Sequence, residues 1–331
     1  INGFIIFVAG KQQGDMANGN HSVVTHGNYT TTSGFILLGY SNLTNLQGLF
    51  FVVFLIIYMV ILIGNGVIVF VTMLDSTLHT PMYFFLRNLS FVEICYTSVT
   101  LPKMVANCLA EDGKISFIGC AAQMYFSLLL GGTESFLLAA MAFDRYVAIC
   151  NPLHYTLIVN SDVCASVVAG SWLVNILAHF GQTYLVFSLP FCESREINHF
   201  FCDIPPLLEL SCVDTFRNKI AVFIAVLLFI ITPFFFIVIS YIKIASTIMK
   251  MPSAQGRCKA FSTCSSHLTV VTLFYGSAMI VYLKPKSRGS VDTDKLLSLF
   301  YTIMTPMFNP FIYSLRNKEV KIALRKILSG K

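Results

Sequence analysis

Long apolar runs broken at polar intervals set the pattern of this chain. Stretches nearly free of Asp, Glu, Lys and Arg lie at 49–71, 82–102, 118–143, 163–189, 220–242, 260–283 and 296–315. Each is near the ~20 residues a helix needs to cross the hydrocarbon core of a bilayer. The sequence has no succession of ten-residue apolar–polar alternations, the mark of a membrane barrel. No internal repeat is visible, which argues against a transporter. The pattern predicts an all-α membrane protein, a seven-transmembrane helix bundle at 46–315 between an arm at 1–45 and a tail at 316–331. In the tail, Val320, Ala323, Leu324, Ile327 and Leu328 share one helical face and Lys318, Lys321 and Arg325 lie elsewhere. That spacing predicts a short amphipathic helix on the inner membrane surface, with basic residues that suit anionic lipid.

Composition sharpens the picture. The chain is 56% hydrophobic and 11% charged, less than half the roughly 25% charge of a soluble domain. An ordinary water-soluble fold is excluded, and 30 Phe and 14 Tyr exclude a solvated disordered chain. An odd number of spans puts the termini on opposite faces. With the N-terminus outside, the inner side carries 12 Lys and Arg against four acids, and the outer side ten of each, in the sense of the positive-inside bias. Tripeptides suited to glycosylation begin at Asn20, Asn28 and Asn42 in the arm. Asn20 and Asn28 are the expected sites, because Asn42 lies close to the membrane. These features predict a multi-pass plasma-membrane protein with an extracellular N-terminus and a cytoplasmic C-terminus. Residues 1–15 either belong to the arm or precede a natural start at Met16, and the first span serves as the insertion signal.

Candidate chemistry sits inside and between the spans. Cys120, Cys192, Cys202 and Cys212 fall on the outer, oxidising side, where bridges are expected and three pairings are open. Cys95, Cys150, Cys164, Cys258 and Cys264 lie in spans or inside and read as free thiols, with Cys108 near the outer end of span two. No C-x-x-C pair is present and no metal site is expected, although His199 near Cys202 could ligate an ion. Glu93 and Glu134 are carboxylates within spans. Charge in lipid is expensive, so both should face the bundle interior. They read either as protonated structural hydrogen-bonders or as a joint site that shares a proton or binds Na⁺, since two close carboxylates resist joint ionisation. No other cofactor and no nucleic acid is implied.

Several strings then read together: Gly64-Asn65 in span one; Leu78-His79-Thr80-Pro81-Met82-Tyr83 entering span two; Met141-Ala142-Phe143-Asp144-Arg145-Tyr146-Val147-Ala148-Ile149-Cys150 ending span three; Ser240-Tyr241; Lys259-Ala260-Phe261-Ser262-Thr263-Cys264-Ser265-Ser266-His267-Leu268 opening span six; and Pro306-Met307-Phe308-Asn309-Pro310-Phe311-Ile312-Tyr313 in span seven. In this order and at these places the chain resembles the olfactory (odorant) receptors of the tetrapod type (class II), rhodopsin-like G-protein-coupled receptors, from about Thr31 to Lys326.

The resemblance implies a Cys120–Cys202 bridge, which leaves Cys192–Cys212 to close the second outer loop, 190–217, as a lid. It favours the joint-site reading of Glu93 and Glu134. It implies a switch for G-protein coupling built from Asp144, Arg145, Tyr146, Tyr241, Asn309, Pro310 and Tyr313, with Arg145 held by Asp144 at rest and Tyr241 and Tyr313 repacking around it on activation. Pro310 removes a backbone donor and permits a bend in span seven. A ligand site is expected in the outer half of spans three, five, six and seven. Helical spacing then offers Leu128, Gly131, Gly132 and Ser135; Val222, Ala225, Val226 and Phe229; Tyr275, Ala278, Met279 and Tyr282; and Leu299, Thr302 and Ile303. Some of these must be plain core. The Gly131-Gly132 pair leaves volume, so Gly132→Leu is expected to abolish ligand responses while surface expression persists. An amine receptor would carry Asp seven residues after the span-three Cys, where this chain has Ser127. The expected ligand is a small, largely apolar volatile with one hydrogen-bonding group, and the expected partner is the olfactory stimulatory heterotrimeric G protein, raising cAMP. A receptor of the same architecture for a non-odorant metabolite is the alternative. A retinal protein is excluded because 296–315 has no Lys. A channel lacks further polar lining, and an enzyme lacks H-E-x-x-H or G-x-S-x-G.

Overall fold

The computed structural model describes residues 34–39, 47–109, 113–192, 195–283, 291–315 and 318–329, with the side chains of 259, 263, 278–283, 291–298, 300, 301, 314, 315, 318 and 328 not included. Asn20 and Asn28, and most of the arm, lie outside the described residues. Seven long helices run at Gln47–Leu74, Pro81–Leu109, Phe117–Cys150, Ser161–Phe187, Phe216–Met249, Ala254–Leu283 and Val291–Leu315, and they are spans one to seven below. A C-terminal helix follows at Lys318–Leu328. The protein is an all-α membrane protein. A helix satisfies its backbone internally, the only way an isolated segment can cross lipid. Hydroxyls inside the spans follow the same rule by bonding back one turn: Thr72 to the Ile68 carbonyl at 2.7 Å, Thr97 to Glu93 at 2.8 Å and Thr133 to Leu129 at 2.8 Å. Side chains cap two starts, Ser116 accepting from the Gly119 N–H at 3.0 Å and Asn160 from the Val163 N–H at 2.9 Å.

Span three is the axis. In its central window 56% of residues are buried, against 22–28% in spans one, four and five, so those three turn most of their surface to lipid. The main core packs Leu86 and Leu89 of span two, Leu137 and Leu138 of span three, Val270 and Phe274 of span six and Tyr313 of span seven. Span five has a π-helical segment, Leu227–Ile231, just before Pro233. Thr232 covers the irregular turn by donating to the Leu227 carbonyl at 2.8 Å. The bulge accompanies Phe229 turned inward, stacked on Phe136 with centroids 5.6 Å apart.

The outer face carries a small sheet that the apolar pattern does not announce. Strands β1 (Phe35–Leu37), β2 (Lys114–Ile115) and β3 (Glu196–Ile197) lie in the order β2-β1-β3, antiparallel between β1 and β2 and parallel between β1 and β3. Its bonds include Ile36 N–H to the Arg195 carbonyl at 2.7 Å and Leu37 N–H to Gly113 at 3.0 Å. Gly113 sits at φ +52°, and a Cβ there would stand 2.5 Å from the Leu37 carbonyl oxygen, so only glycine fits the turn. The sheet ties arm, first outer loop and second outer loop together. With it, Phe35, Phe117, Phe187 and Phe191 form an aromatic cluster with centroids 5.1–6.5 Å apart, Phe35 stacked on Phe117 and the other pairs edge-to-face.

Candidate functional site

The outer end is built around two disulfides, Cys120–Cys202 and Cys192–Cys212, with Cα atoms 5.5 and 5.7 Å apart. The first fixes span three to the second outer loop, and Gln123 reinforces it by accepting from the Cys202 N–H at 2.9 Å. The loop then folds into a short helix, Ile204–Glu209, whose Ile204, Leu207 and Leu208 pack beside Cys120 and Met124. Its Phe200 and Phe201 pack instead with Phe54, Leu101, Met104, Cys108 and Ile303 at the outer ends of spans one, two and seven. The remaining described cysteines, Cys95, Cys108, Cys150, Cys164, Cys258 and Cys264, stand outside disulfides.

At mid-membrane, polar groups from spans one, two, three and seven converge. The Asn309 amide donates to Glu93. Asn65 Nδ2 donates at 3.2 Å to the carbonyl of Pro306, the oxygen orphaned because Pro310, four residues on, has no N–H. A Cβ on Gly64 would lie 2.8 Å from Pro310 Cβ, so glycine lets the proline helix come close. Glu134 lies within electrostatic reach of Glu93. Glu93 Oε2, Glu134 Oε1, Asn65 Oδ1, Asn309 Oδ1 and Thr305 Oγ1 are buried without a hydrogen-bond partner among the described residues. A cavity of about 10 Å³, room for one water-sized centre, is lined by Tyr96, Gly131, Glu134, Phe274, Thr302, Thr305 and Pro306. Of the unpartnered oxygens, those of Glu134 and Thr305 belong to residues lining this space, and with the hydroxyls of Tyr96 and Thr302 they give it a lining of hard oxygens that suits one water or a Na⁺ ion.

The expected ligand residues divide among several places. Gly131 and Thr302 line the small cavity. Ser135 Oγ and Tyr275 OH are hydrogen-bonded at 2.8 Å across spans three and six. Leu128 and Val222 pack on the outer cluster, and Leu299 packs with Ile303 against spans one and two. Ala225 and Val226 are half-buried on span five. The side chains of Ala278, Met279 and Tyr282 lie outside the described residues. Gly132 corrects an expectation. It faces span four, where a Cβ would collide with Asn175 Oδ1 and stand 2.9 Å from His179 Nε2. It is a helix-packing glycine, because adjacent residues on a helix point about 100° apart and Gly131 already takes the interior direction.

Most of the residues expected to form a switch lie at the end of the bundle away from the disulfides. Arg145 was expected to rest on Asp144, but neighbours in a helix do not face each other. Asp144 instead accepts from Tyr155 of the short inner-loop helix Tyr155–Ile158 at 2.7 Å, and Arg145 reaches the Met82 sulfur on span two. Burial and then the Asp144 carboxylate push the Tyr155 hydroxyl above the ordinary phenol value. Tyr146 packs with Phe143, ring centroids 6.4 Å apart. Tyr241 is held by His267, O to Nδ1 2.8 Å, while His267 Nε2 lies 3.1 Å from the Leu138 carbonyl. A carbonyl only accepts, so the proton is on Nε2 and Tyr241 donates to Nδ1. His267, 1% exposed, thereby joins spans six, three and five. The Tyr313 hydroxyl is buried without a partner among the described residues. The C-terminal helix docks through Tyr83 OH to Glu319 at 2.7 Å and Lys326 to Asp75 at 3.6 Å. Its Val320 and Ala323 are buried against spans one and two while Ile322 is 64% exposed. Leu324 and Ile327 pack beside Val320 and Ala323, so the apolar face docks on the bundle and the exposed Ile322 lies on the opposite side of the helix.

The olfactory receptor family profile matches residues 54–331. Human olfactory receptor 10A5 is 53% identical over 301 residues, covering 91% of this chain and 95% of that receptor. Human olfactory receptor 10AG1 is 50% identical over 295 residues, covering 89% and 98%, and human olfactory receptor 10A3 is 54% identical over 293 residues, covering 88% and 93%. The chain belongs to the olfactory receptor family. The crystal structure of squid rhodopsin superposes with a TM-score of 0.70 at 16% identity, covering 92% of this chain and 88% of rhodopsin, which places the fold among rhodopsin-like G-protein-coupled receptors. This olfactory receptor is thus a multi-pass plasma-membrane receptor, not an enzyme, with a small-molecule ligand and a G protein as partners.

Two polar features carry no role in the motifs themselves. His267 belongs to the span-six string, but its place as a tie between spans is a matter of tertiary contact. The buried row Asn175, His179 and Gln182 on span four lies outside the motifs, with His179 3.2 Å from each of the other two and 4.9 Å from the Phe229 ring. Polar side chains in an apolar span are the signal that points to it.

Proposed function

We propose that this olfactory receptor detects a small, neutral, largely apolar volatile in the outer half of the bundle and signals through the olfactory stimulatory G protein to raise cAMP, with its N-terminus outside and its C-terminus inside the cell. The observation that carries the neutral-ligand reading is Ser127. Its Oγ is buried and without a partner among the described residues, at the place where a receptor for a cation would need an acid. A hydroxyl offers one hydrogen bond and no charge, and the aromatic wall of Phe136, Phe229 and Tyr275 supplies dispersion.

The Glu93–Glu134 site takes a shared proton or Na⁺ and biases the balance of receptor states, which a bound species shifts only by its differential affinity. Glu134 and Thr305, which line the small cavity, would hold the ion, and Glu93, tied to Asn309 and within electrostatic reach of Glu134, completes the acid pair. Neutralising the acids by Glu93→Gln or Glu134→Gln shifts basal signalling, and unchanged basal and stimulated signalling in both would refute the site. A cAMP assay against an odorant panel tests the main reading. A saturable response that Ser127→Ala abolishes or weakens supports it, whereas responses confined to charged amines would sink it.

A further inference from the structure

A second concavity lies away from the ligand and acid sites, between the inner halves of spans five and six. It has a volume of about 390 Å³. Its floor is Ile237, Ile244, Ile248 and Cys264, each at most 2% exposed, and its rim is Ile242, Phe261 and Leu268, 61%, 49% and 39% exposed. The groove therefore opens outward from the bundle, at the depth where spans five and six meet acyl chains, and its lining is almost wholly carbon. Its inner mouth is basic. Lys243 and Lys250 are exposed beside it on span five. Arg257 sits one turn before Phe261 on the same face of span six, where it donates to the Met251 carbonyl at 2.8 Å. Between Asp214 and Asp292 the chain has no Asp or Glu, so nothing acidic on either helix offsets this charge.

We propose that this groove binds an anionic phospholipid, one acyl chain lying along the Ile–Cys floor and the headgroup phosphate meeting Lys243 and Lys250. Apolar length and basic mouth are arranged in the order of tail and headgroup, and clustered basic residues at the membrane surface select anionic lipid. Tyr241, which His267 holds, also lines the groove. An occupied groove therefore props spans five and six at their present separation, and lipid binding and the arrangement of span six become linked.

The test uses the full-length receptor in nanodiscs containing phosphatidylserine in both leaflets, so that the outcome does not depend on the orientation of the termini. A phosphatidylserine with a photoreactive group at the end of one acyl chain is crosslinked and the labelled peptides are mapped. Labelling is expected at 237–248 and 261–271. Ala245→Trp, or Leu268→Trp from the opposite wall, fills the groove and removes most of that label while distant lipid contacts keep theirs. The pair Lys243→Glu and Lys250→Glu lowers phosphatidylserine labelling about tenfold or more. Labelling by the phosphatidylcholine analogue is weaker in the unaltered receptor and unmoved by the charge reversal. Equal labelling by the two lipids, or full labelling in correctly folded Trp variants judged by surface expression, overturns the proposal.

Discussion

The two ends of this bundle are held by different chemistry. Outside, two disulfides, a three-stranded sheet and an aromatic cluster fix the loops. Inside, the apolar packing of the helix ends is joined, among the described residues, by polar ties made of single hydrogen bonds and a long ion pair: Tyr155 to Asp144, Tyr241 to His267, Tyr83 to Glu319 and Lys326 to Asp75. Covalent and apolar contacts do not exchange partners readily, and polar contacts can. The contrast gives a stiff outer frame and an inner end able to repack, the division that a relay of shape change across a membrane requires.

The comparison can be broken at the outer end with the largest effect. Cys120→Ser releases a bridge spanning 82 residues, and losing such a bridge costs about 2–5 kcal/mol. Surface expression, read by antibody on intact cells, should collapse, while opening the 20-residue Cys192–Cys212 loop should cost less. Next comes Gly132→Leu. Overpacking against Asn175 and His179 costs about 1–3 kcal/mol, so this variant loses surface expression. Gly131→Leu, with nothing within 4 Å of its Cβ position, keeps it and loses signalling instead. The opposite result would return Gly132 to the ligand cavity.

The inner end should respond in activity rather than in folding. His267→Phe removes the two hydrogen bonds of His267, worth about 1–2 kcal/mol together, and basal cAMP should rise about 5–30-fold with surface expression retained. A silent variant would show that the tie does not restrain the switch. Tyr83→Phe removes one half-buried bond, about 0.5–1.5 kcal/mol, and should loosen the C-terminal helix, measured by hydrogen exchange of 318–328, without altering expression.

The smallest effect concerns pH. The Thr77 backbone N–H and hydroxyl, and then Lys326, hold the Asp75 carboxyl below its usual 3.8. A carboxylate depressed in the folded state stabilises fully above the unfolded value and loses that contribution as pH falls through the folded one. Docking of the C-terminal helix should therefore be flat from neutral down to about pH 5 and weaken only in stronger acid. A transition near neutrality would mean that another group controls it.

Particular residues show how much was legible. The spans could be read because lipid imposes one rule on every apolar run, and the expected segment at 163–189 is Ser161–Phe187 in the structure. The structure pairs Cys120 with Cys202 and Cys192 with Cys212, as the family resemblance implied. Which glycine of the pair at 131 and 132 meets a cavity was not readable, because a single residue rotates the direction by about 100°. Strand β1 at Phe35–Leu37 was equally hidden, since its partners lie about 80 and 160 residues away in loops without alternation of their own.

The sequence by itself determined the solvent of this protein, the number and order of its spans and its family, because burial in lipid and ordered motifs are written locally along the chain, while several helices run up to seven residues past the apolar stretches. Only the tertiary structure decided partners: that Asp144 meets Tyr155, that His267 joins three spans, that Asn65 answers the carbonyl freed by Pro310. Those contacts cross between helices, and their geometry depends on rotation and depth, which an apolar run leaves open until the bundle closes.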